Sequence, residues 1–149
     1  MDEIILASKS KVRKKILDKN NILNKVIVSN VDEDSIKESL LKEKATPEMI
    51  SKNLAELKAN KVSTNNNDIL VLGADSVIDL DGELISKPQD RENAFMILKK
   101  LNGRTHNLIS SVCISKNGSM IWNHTEKASL IMKNFSDDEL NKYLLKITD

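Results

Sequence analysis

The sequence contains a single cysteine, Cys113, in 149 residues. A lone thiol excludes an intrachain disulfide framework and any Cys-x-x-Cys zinc site, and it suits a reducing, cytoplasmic compartment. Aromatic residues make up only 3%, too few for the stacking platforms that hold single-stranded nucleic acid. Charge of one sign is also lacking: 23 Lys and Arg face 22 Asp and Glu, a formal net charge of +1. That balance argues against a nucleic-acid partner held by the whole surface, so any electrostatic work falls to local clusters. Gly73, Gly82, Gly103 and Gly118 are the only glycines, and none sits in a Gly-x-Gly-x-x-Gly or Walker-type loop. The usual glycine-cradled phosphate sites are thereby excluded. Long apolar runs are missing as well. The start, MDEIILASKSK, puts acids before a short apolar stretch, which is neither a signal peptide nor a membrane span.

What is present reads as one domain with a buried core. Ile4 to Ala7 is a short apolar run, expected as a strand, and Val12, Ile16 and Leu17 give one side of a helix ending near Asn20-Asn21. Val26 to Val28 reads as a second strand and Ser35 to Lys44 as a short helix. Thr46-Pro47 is an N-cap followed by proline at the first helical position, and the helix it opens carries Ile50, Leu54, Leu57 and Val62 inward. Ile69 to Gly73 is an uninterrupted apolar strand. Asp81-Gly82 and Asn117-Gly118 each separate two strand-like runs, as two-residue type I′ hairpin turns do. Between the hairpins Asp90 caps a helix with Ala94, Ile97, Leu98 and Leu101 inward, closed by Gly103. Ser136 to Glu139 is a capping box opening a helix with Leu140, Tyr143, Leu144 and Ile147. The class is α/β with a mixed sheet.

Several residues stand where chemistry could be done. LASKSKVRKKIL crowds Lys9, Lys11, Arg13, Lys14 and Lys15 onto a helix N-terminus without an acid, against the preference set by the helix dipole. A strand, a turn and a helix N-terminus form an anion site, to which Ser8 and Ser10 add hydroxyls and Arg13 a two-pronged donor. The alternative is a solvated basic face with Ser10 as a simple N-cap. Lys58 borders the inward stripe of its helix, where lysines either snorkel to water or meet a phosphate or acidic partner. Asp75 follows the ILVLG strand by two residues, at the carboxyl end where ligands gather in open α/β sheets; a turn aspartate accepting backbone N–H bonds is the plainer reading. The hairpin register brings Asp75 and Lys87 to one end, yet strict alternation puts them on opposite faces unless a bulge or frayed end intervenes. Asp32-Glu33-Asp34 offers carboxylates to a hard cation such as Mg²⁺ or simply a solvated acidic turn. Arg104 and His106 flank the entrance to a strand, where a lone histidine is commonly a structural donor.

Together these segments resemble the Maf family, septum-formation proteins also described as nucleoside triphosphate pyrophosphatases. Its Leu-Ala-Ser-x-Ser-Pro-Arg-Arg motif is similar to Leu6-Ala-Ser-Lys-Ser10-Lys-Val-Arg13, and its Glu-containing turn resembles the stretch ending at Glu33. Ala-x-x-Lys-Ala is matched by Ala55-Glu-Leu-Lys58-Ala59, Gly-Ala-Asp-Thr-Val by Gly73-Ala-Asp75-Ser76-Val77, and Gly-Lys-Pro by Ser86-Lys87-Pro88. Leu-x-Gly-Arg-x-His is matched by Leu101-Asn-Gly103-Arg104-Thr-His106. The match is collinear over nearly the whole chain. It departs where Lys11-Val12 replaces Pro-Arg and Ser86 replaces Gly.

The resemblance implies a mixed twisted sheet flanked by helices in a Maf/ITPase-like (anticodon-binding-like) architecture. It implies hydrolysis of a nucleoside triphosphate to the monophosphate and pyrophosphate, with dTTP and UTP the indicated substrates. Asp75 would be the general base or a metal-linked carboxylate, and Ser8, Ser10, Arg13, Lys58 and Lys87 would hold the triphosphate. Arg104 and His106 join that substrate-binding set, and Glu33 would assist Asp75 in holding Mg²⁺ or Mn²⁺. A homodimer is also implied. Family members continue into a segment with Asp-Lys-Ala-Gly and a downstream Gln-Gly, whereas the sequence here stops at Thr148-Asp149; residues 1–149 are thus expected as one Maf-like domain shortened at its C-terminus. The alternative function is a catalytically impaired nucleotide-binding regulator linked to cell division. A nucleic-acid protein using Lys9 to Lys15 would instead show steep salt dependence.

Overall fold

The computed structural model describes residues 2–147; Met1 and the Thr148-Asp149 pair at which the family comparison was drawn lie outside the described residues. Strand β1 (Ile4–Leu6) leads through helix α1 (Lys11–Lys19) to β2 (Asn24–Val26). Helices α2 (Glu33–Lys42) and α3 (Pro47–Thr64) then return the chain to β3 (Val71–Leu80). A tight turn gives β4 (Glu83–Ile85), α4 (Arg91–Leu101) follows, β5 (Thr105–Lys116) and β6 (Ser119–Ile131) form a long hairpin, and α5 (Asp137–Leu145) ends the described fold. The sheet runs β2-β1-β3-β5-β6, with β4 on β3. Pairings among β2, β1 and β3 are parallel and the rest antiparallel, which is the expected mixed α/β sheet.

Local chemistry accounts for the boundaries. Ser10, Asp32, Thr46, Asp90 and Ser136 each accept a backbone N–H at a helix start, and Ser136 with Glu139 completes the capping box. Asp81 and Gly82 have φ of 51° and 90°, and Asn117 and Gly118 of 53° and 83°, as type I′ turns require. Four expectations shift. The second strand forms two residues earlier than Val26 to Val28, and the short helix opens at Glu33 instead of Ser35 because Asp32 is its N-cap. Ile69 to Gly73 and the following hairpin arm fuse into one ten-residue strand through Ala74-Asp75, since pairing with β5 outweighs the poor strand propensity of aspartate. Leu57, expected inward, is 41% exposed.

The edge of β3 that faces β1 changes neighbour along its length. Val71 and Leu72 pair with Ile5 and Leu6, and Ile78 to Leu80 pair with β4. Between them that edge has no strand partner. On one face, Ile5, Ala7, Val71 and Cys113 pack with Ala55, Ala59 and Val62 of α3. On the other, at the far end of β3, Leu80 and Ile85 pack with Leu101 of α4.

Helix α3 lies unusually close to β3. A Cβ placed on Gly73 would come within 2.4 Å of the Ala55 carbonyl oxygen, 2.8 Å of the Ala59 nitrogen and 2.9 Å of the Ala59 Cβ. Two of these are backbone atoms, which cannot swing aside. Gly73→Ala is therefore expected to lower stability by about 2–3 kcal/mol, the cost typical of overpacking, measured by urea denaturation. An unchanged midpoint would contradict the close approach.

Candidate active site

The unpaired edge of β3 is where the functional side chains converge. The Leu72 carbonyl accepts the Ala7 N–H at 2.8 Å. The Ala74 carbonyl, two residues on and pointing the same way, has no strand to meet. Two cations take its place: Arg13 donates to it at 3.2 Å from α1, and Lys58 at 3.2 Å from α3. Arg13 also donates to Ser8 Oγ at 3.1 Å, which in addition accepts the Ser10 N–H at 3.1 Å. The Ser10 hydroxyl accepts the Arg13 N–H at 3.2 Å, so the N-cap reading of Ser10 is realised while Arg13 swings back over the end of β1.

Asp75 projects to the α3 side of the sheet, and only 6% of it is exposed. Its Oδ1 accepts from Lys58 at 3.1 Å, whereas its Oδ2 is buried with no hydrogen-bond partner. Lys58 is itself 7% exposed, so its tip does not snorkel to water. A third bond runs from its ammonium to Glu33 Oε1 at 2.7 Å. One lysine thus joins two carboxylates from different elements, α2 and β3. Both are within reach because the close contact at Gly73 lowers α3 onto the strand.

The two carboxylates are pushed in opposite directions. Burial raises the Asp75 pKa above its ordinary value, and the charge and hydrogen bond of Lys58, with the charge of Lys37, offset this only in part. Burial acts on Glu33 too, but the hydrogen bond and charge of Lys58, then the charges of Lys37 and Lys87, pull it below the ordinary glutamate value. Lys87 stands in the segment that follows β4. The hairpin pairing stops at Ile85, so the frayed end that the sequence left open is what frees Lys87 from the alternation rule. Lys87 also lines a groove of about 670 Å³ between β4 and α4.

Arg104 and His106 are not brought to this cluster. Asp75 pairs with Ser111 in an unbroken ladder, so His106 lies five residues, about 17 Å, along β5. It also faces the opposite side of the sheet, since side chains alternate along the ladder. Its Nδ1 is buried without a partner there. Arg104 instead pairs with Asp81 at the β3–β4 turn. This register sets both residues apart from the cluster around Asp75.

Two contributors were missed in the sequence. Ser51, fully buried on α3, donates to the Asp75 carbonyl at 3.1 Å, one of its two close oxygens. It lies seven residues before Lys58, two helical turns, so α3 grips Asp75 at carbonyl and carboxylate alike. Lys37 lies four residues after Glu33, on the same face of α2. Seven- and four-residue spacings from Lys58 and Glu33 were the available signals.

Among the described residues, no three His, Cys, Asp or Glu side chains come together as a metal site. The carboxylates of Glu33 and Asp75 nonetheless fit Mg²⁺, which is commonly bound by one or two carboxylates together with substrate phosphates. Among the described residues, no helix is long and apolar enough to cross a membrane.

A raised carboxyl pKa means that Asp75 binds its proton more tightly folded than unfolded, so this group's contribution to stability falls as pH rises above 3.8, its ordinary value. Asp75→Asn should therefore raise the thermal midpoint at pH 7, and its advantage over the wild type should shrink as pH falls toward 3.8. A lower midpoint for Asp75→Asn at pH 7 would contradict the burial penalty.

Residues 3–148 match the family model described as Maf-like protein. A nucleoside triphosphate pyrophosphatase of Pelagibacter ubique is 70% identical over 147 residues, covering 99% of this chain and 75% of that protein. The protein of the same name from Ruegeria pomeroyi is 39% identical over 146 residues, covering 98% of this chain and 73% of its own length. Among solved structures, a HAM1 protein from Coxiella burnetii superposes with a TM-score of 0.56 at 14% identity, covering 87% of this chain and 71% of that one. The Staphylococcus aureus Ham1 protein gives 0.50 at 18%, covering 87% and 70%. These last two show a common fold and no more.

Proposed function

The chain belongs to the Maf family, and on that premise we propose that it is a nucleoside triphosphate pyrophosphatase working at the Asp75 cluster. The name carried by the relatives at 70% and 39% identity supports the activity. The unpartnered, buried Oδ2 of Asp75, on a carboxylate bonded to Lys58 and acted on by the charge of Lys37, is the observation that carries the assignment of the site.

In this reading water attacks the α-phosphorus. A new P–O bond forms, the bond to the β-phosphate bridge breaks, and pyrophosphate leaves with the bridging oxygen. Asp75 Oδ2 takes the proton of the attacking water, and its raised pKa makes it a better acceptor near neutral pH than an ordinary aspartate. Arg13, Lys58 and Lys87 neutralise the triphosphate, with Lys37 added by its charge on both carboxylates. Ser8 and Ser10 carry hydroxyls and the α1 N-terminus carries free N–H groups to the same place. Glu33 and Asp75 would hold a Mg²⁺ or Mn²⁺ ion, which supplies further neutralisation of phosphate charge when bound.

The groove between β4 and α4 that includes Lys87 has the volume of a small-molecule site. The Leu101–His106 motif, by its resemblance to the branch acting on dTTP and UTP, supports those two as preferred substrates.

Pyrophosphate release from a panel of nucleoside triphosphates with Mg²⁺ tests the reading. Release should be fastest with dTTP and UTP. In Asp75→Asn it should fall by about a hundred- to ten-thousandfold, the contribution typical of a general base. Nucleotide binding without release by the wild type would sink the enzymatic reading and leave a nucleotide-binding regulator.

A further inference from the structure

The contact between Lys58 and the two carboxylates has a geometry that the pyrophosphatase reading leaves unexplained. An ammonium group has three protons to donate. All three are engaged: Glu33 Oε1 at 2.7 Å, Asp75 Oδ1 at 3.1 Å and the Ala74 carbonyl at 3.2 Å. No donor remains for a phosphate oxygen. A lysine waiting to bind a triphosphate would be expected to present its tip to solvent, yet Lys58 is 7% exposed. Glu33, by contrast, belongs to a half-exposed side chain that swings in from α2 to meet it.

We infer that Lys58 is a resident stand-in cation, occupying between Glu33 and Asp75 the position that a divalent ion takes when nucleotide is bound. This inference rests on Glu33 and Asp75 being the metal-binding carboxylates. Lysine suits the role because its charge is compact and strongly hydrated, a point charge akin to a small metal ion, and not a planar fork. An ion bridging the two carboxylates would enter the gap that Nζ fills, 2.7 Å from Glu33 Oε1 and 3.1 Å from Asp75 Oδ1, and two cations brought that close repel strongly. Metal entry therefore requires Lys58 to leave. Its destination is the phosphate chain, whose negative charge replaces the carboxylates it gives up.

The consequence is thermodynamic coupling. Metal alone must displace Lys58 into an empty site, and nucleotide alone finds Lys58 committed elsewhere. Each binds better when the other is present, by the same factor in both directions. Free of nucleotide, the protein keeps its carboxylates paired and binds a metal ion only weakly.

Calorimetric titration of Mn²⁺ into the full chain, without nucleotide, tests the exchange. Lys58→Met should bind Mn²⁺ about tenfold tighter than the wild type or more, as when a competing state that hides most of the binding-competent population is removed. Lys37→Met is the control for charge alone, because the Lys37 charge acts on both carboxylates without a hydrogen bond to either; its affinity should stay within about threefold of wild type. Equal gains in the two variants, or no gain in Lys58→Met, overturns the stand-in role and leaves the metal reading intact. No Mn²⁺ binding by the wild type even with an α,β-methylene nucleotide analogue overturns the metal reading, and the inference with it.

A second measurement needs no variant and so does not depend on Lys58→Met folding. Acylation of wild-type lysines, read by peptide mass spectrometry, should find Lys58 protected in the free protein and labelled several-fold faster once Mn²⁺ alone is added. Added analogue should restore protection. An unchanged Lys58 labelling rate on saturation with Mn²⁺ contradicts the displacement.

Discussion

The absence of a side chain at Gly73 governs the site. Without a Cβ there, α3 settles onto β3 until its backbone at Ala55 and Ala59 lies against the strand. That approach is what places Lys58 over the carboxylate of Asp75 and Ser51 over its carbonyl. A conventional helix–sheet separation of about 10 Å leaves a lysine stem enough length to reach water, the usual outcome at the border of an apolar stripe. Here the helix is too close for that, and the ammonium turns inward. The small residues flanking Lys58 in Ala55-Glu-Leu-Lys58-Ala59 and the glycine preceding Ala74-Asp75 are two halves of one packing contact.

The electrostatics follow from the sheet's own discontinuity. Because β1 ends at Leu6 and β4 begins its pairing only at Ile78, the intervening edge of β3 offers a bare carbonyl where two cations gather. A half-satisfied, desolvated carboxylate next to them is costly to stability and useful to chemistry. The α/β rule that ligands gather at the carboxyl ends of parallel strands, where neighbours change, thus has a local cause in this protein. Backbone polarity is left over there, and side chains from α1, α2, α3 and the segment after β4 supply the partners.

Much of this was legible in the sequence. Capping residues, both type I′ turns and the mixed α/β class were readable because they depend on local chemistry. Arg13 and Lys58 were singled out by violations of local preference, cations at a helix N-terminus and a lysine on an inward stripe, Asp75 by its place at a strand's carboxyl end, and Ser8, Glu33 and Lys87 chiefly by their motifs. What stayed hidden was register and depth. Arg104 and His106 sit near the others in the sequence's motif order, yet five residues of β5 and one change of face separate His106 from Asp75. Ser51 looked like an ordinary helix serine because nothing local reveals that its hydroxyl meets the Asp75 carbonyl. Leu57 seemed inward because the stripe was drawn through the largest apolar residues, whereas the contact with Gly73 rotates α3 so that the smallest ones face the sheet.

The account depends most on two carboxylates that share one lysine yet are displaced in opposite directions, because burial outweighs that lysine at Asp75 and not at Glu33. A ¹³C NMR titration of the side-chain carboxyls, with Asp75→Asn and Glu33→Gln used to assign the signals, measures that directly. Asp75 should titrate above 3.8 and Glu33 below 4.5, each displaced from its ordinary value and in opposite directions. An Asp75 midpoint at or below 3.8 would mean that its second oxygen is solvated or bonded, and the poised base on which the account rests would not exist.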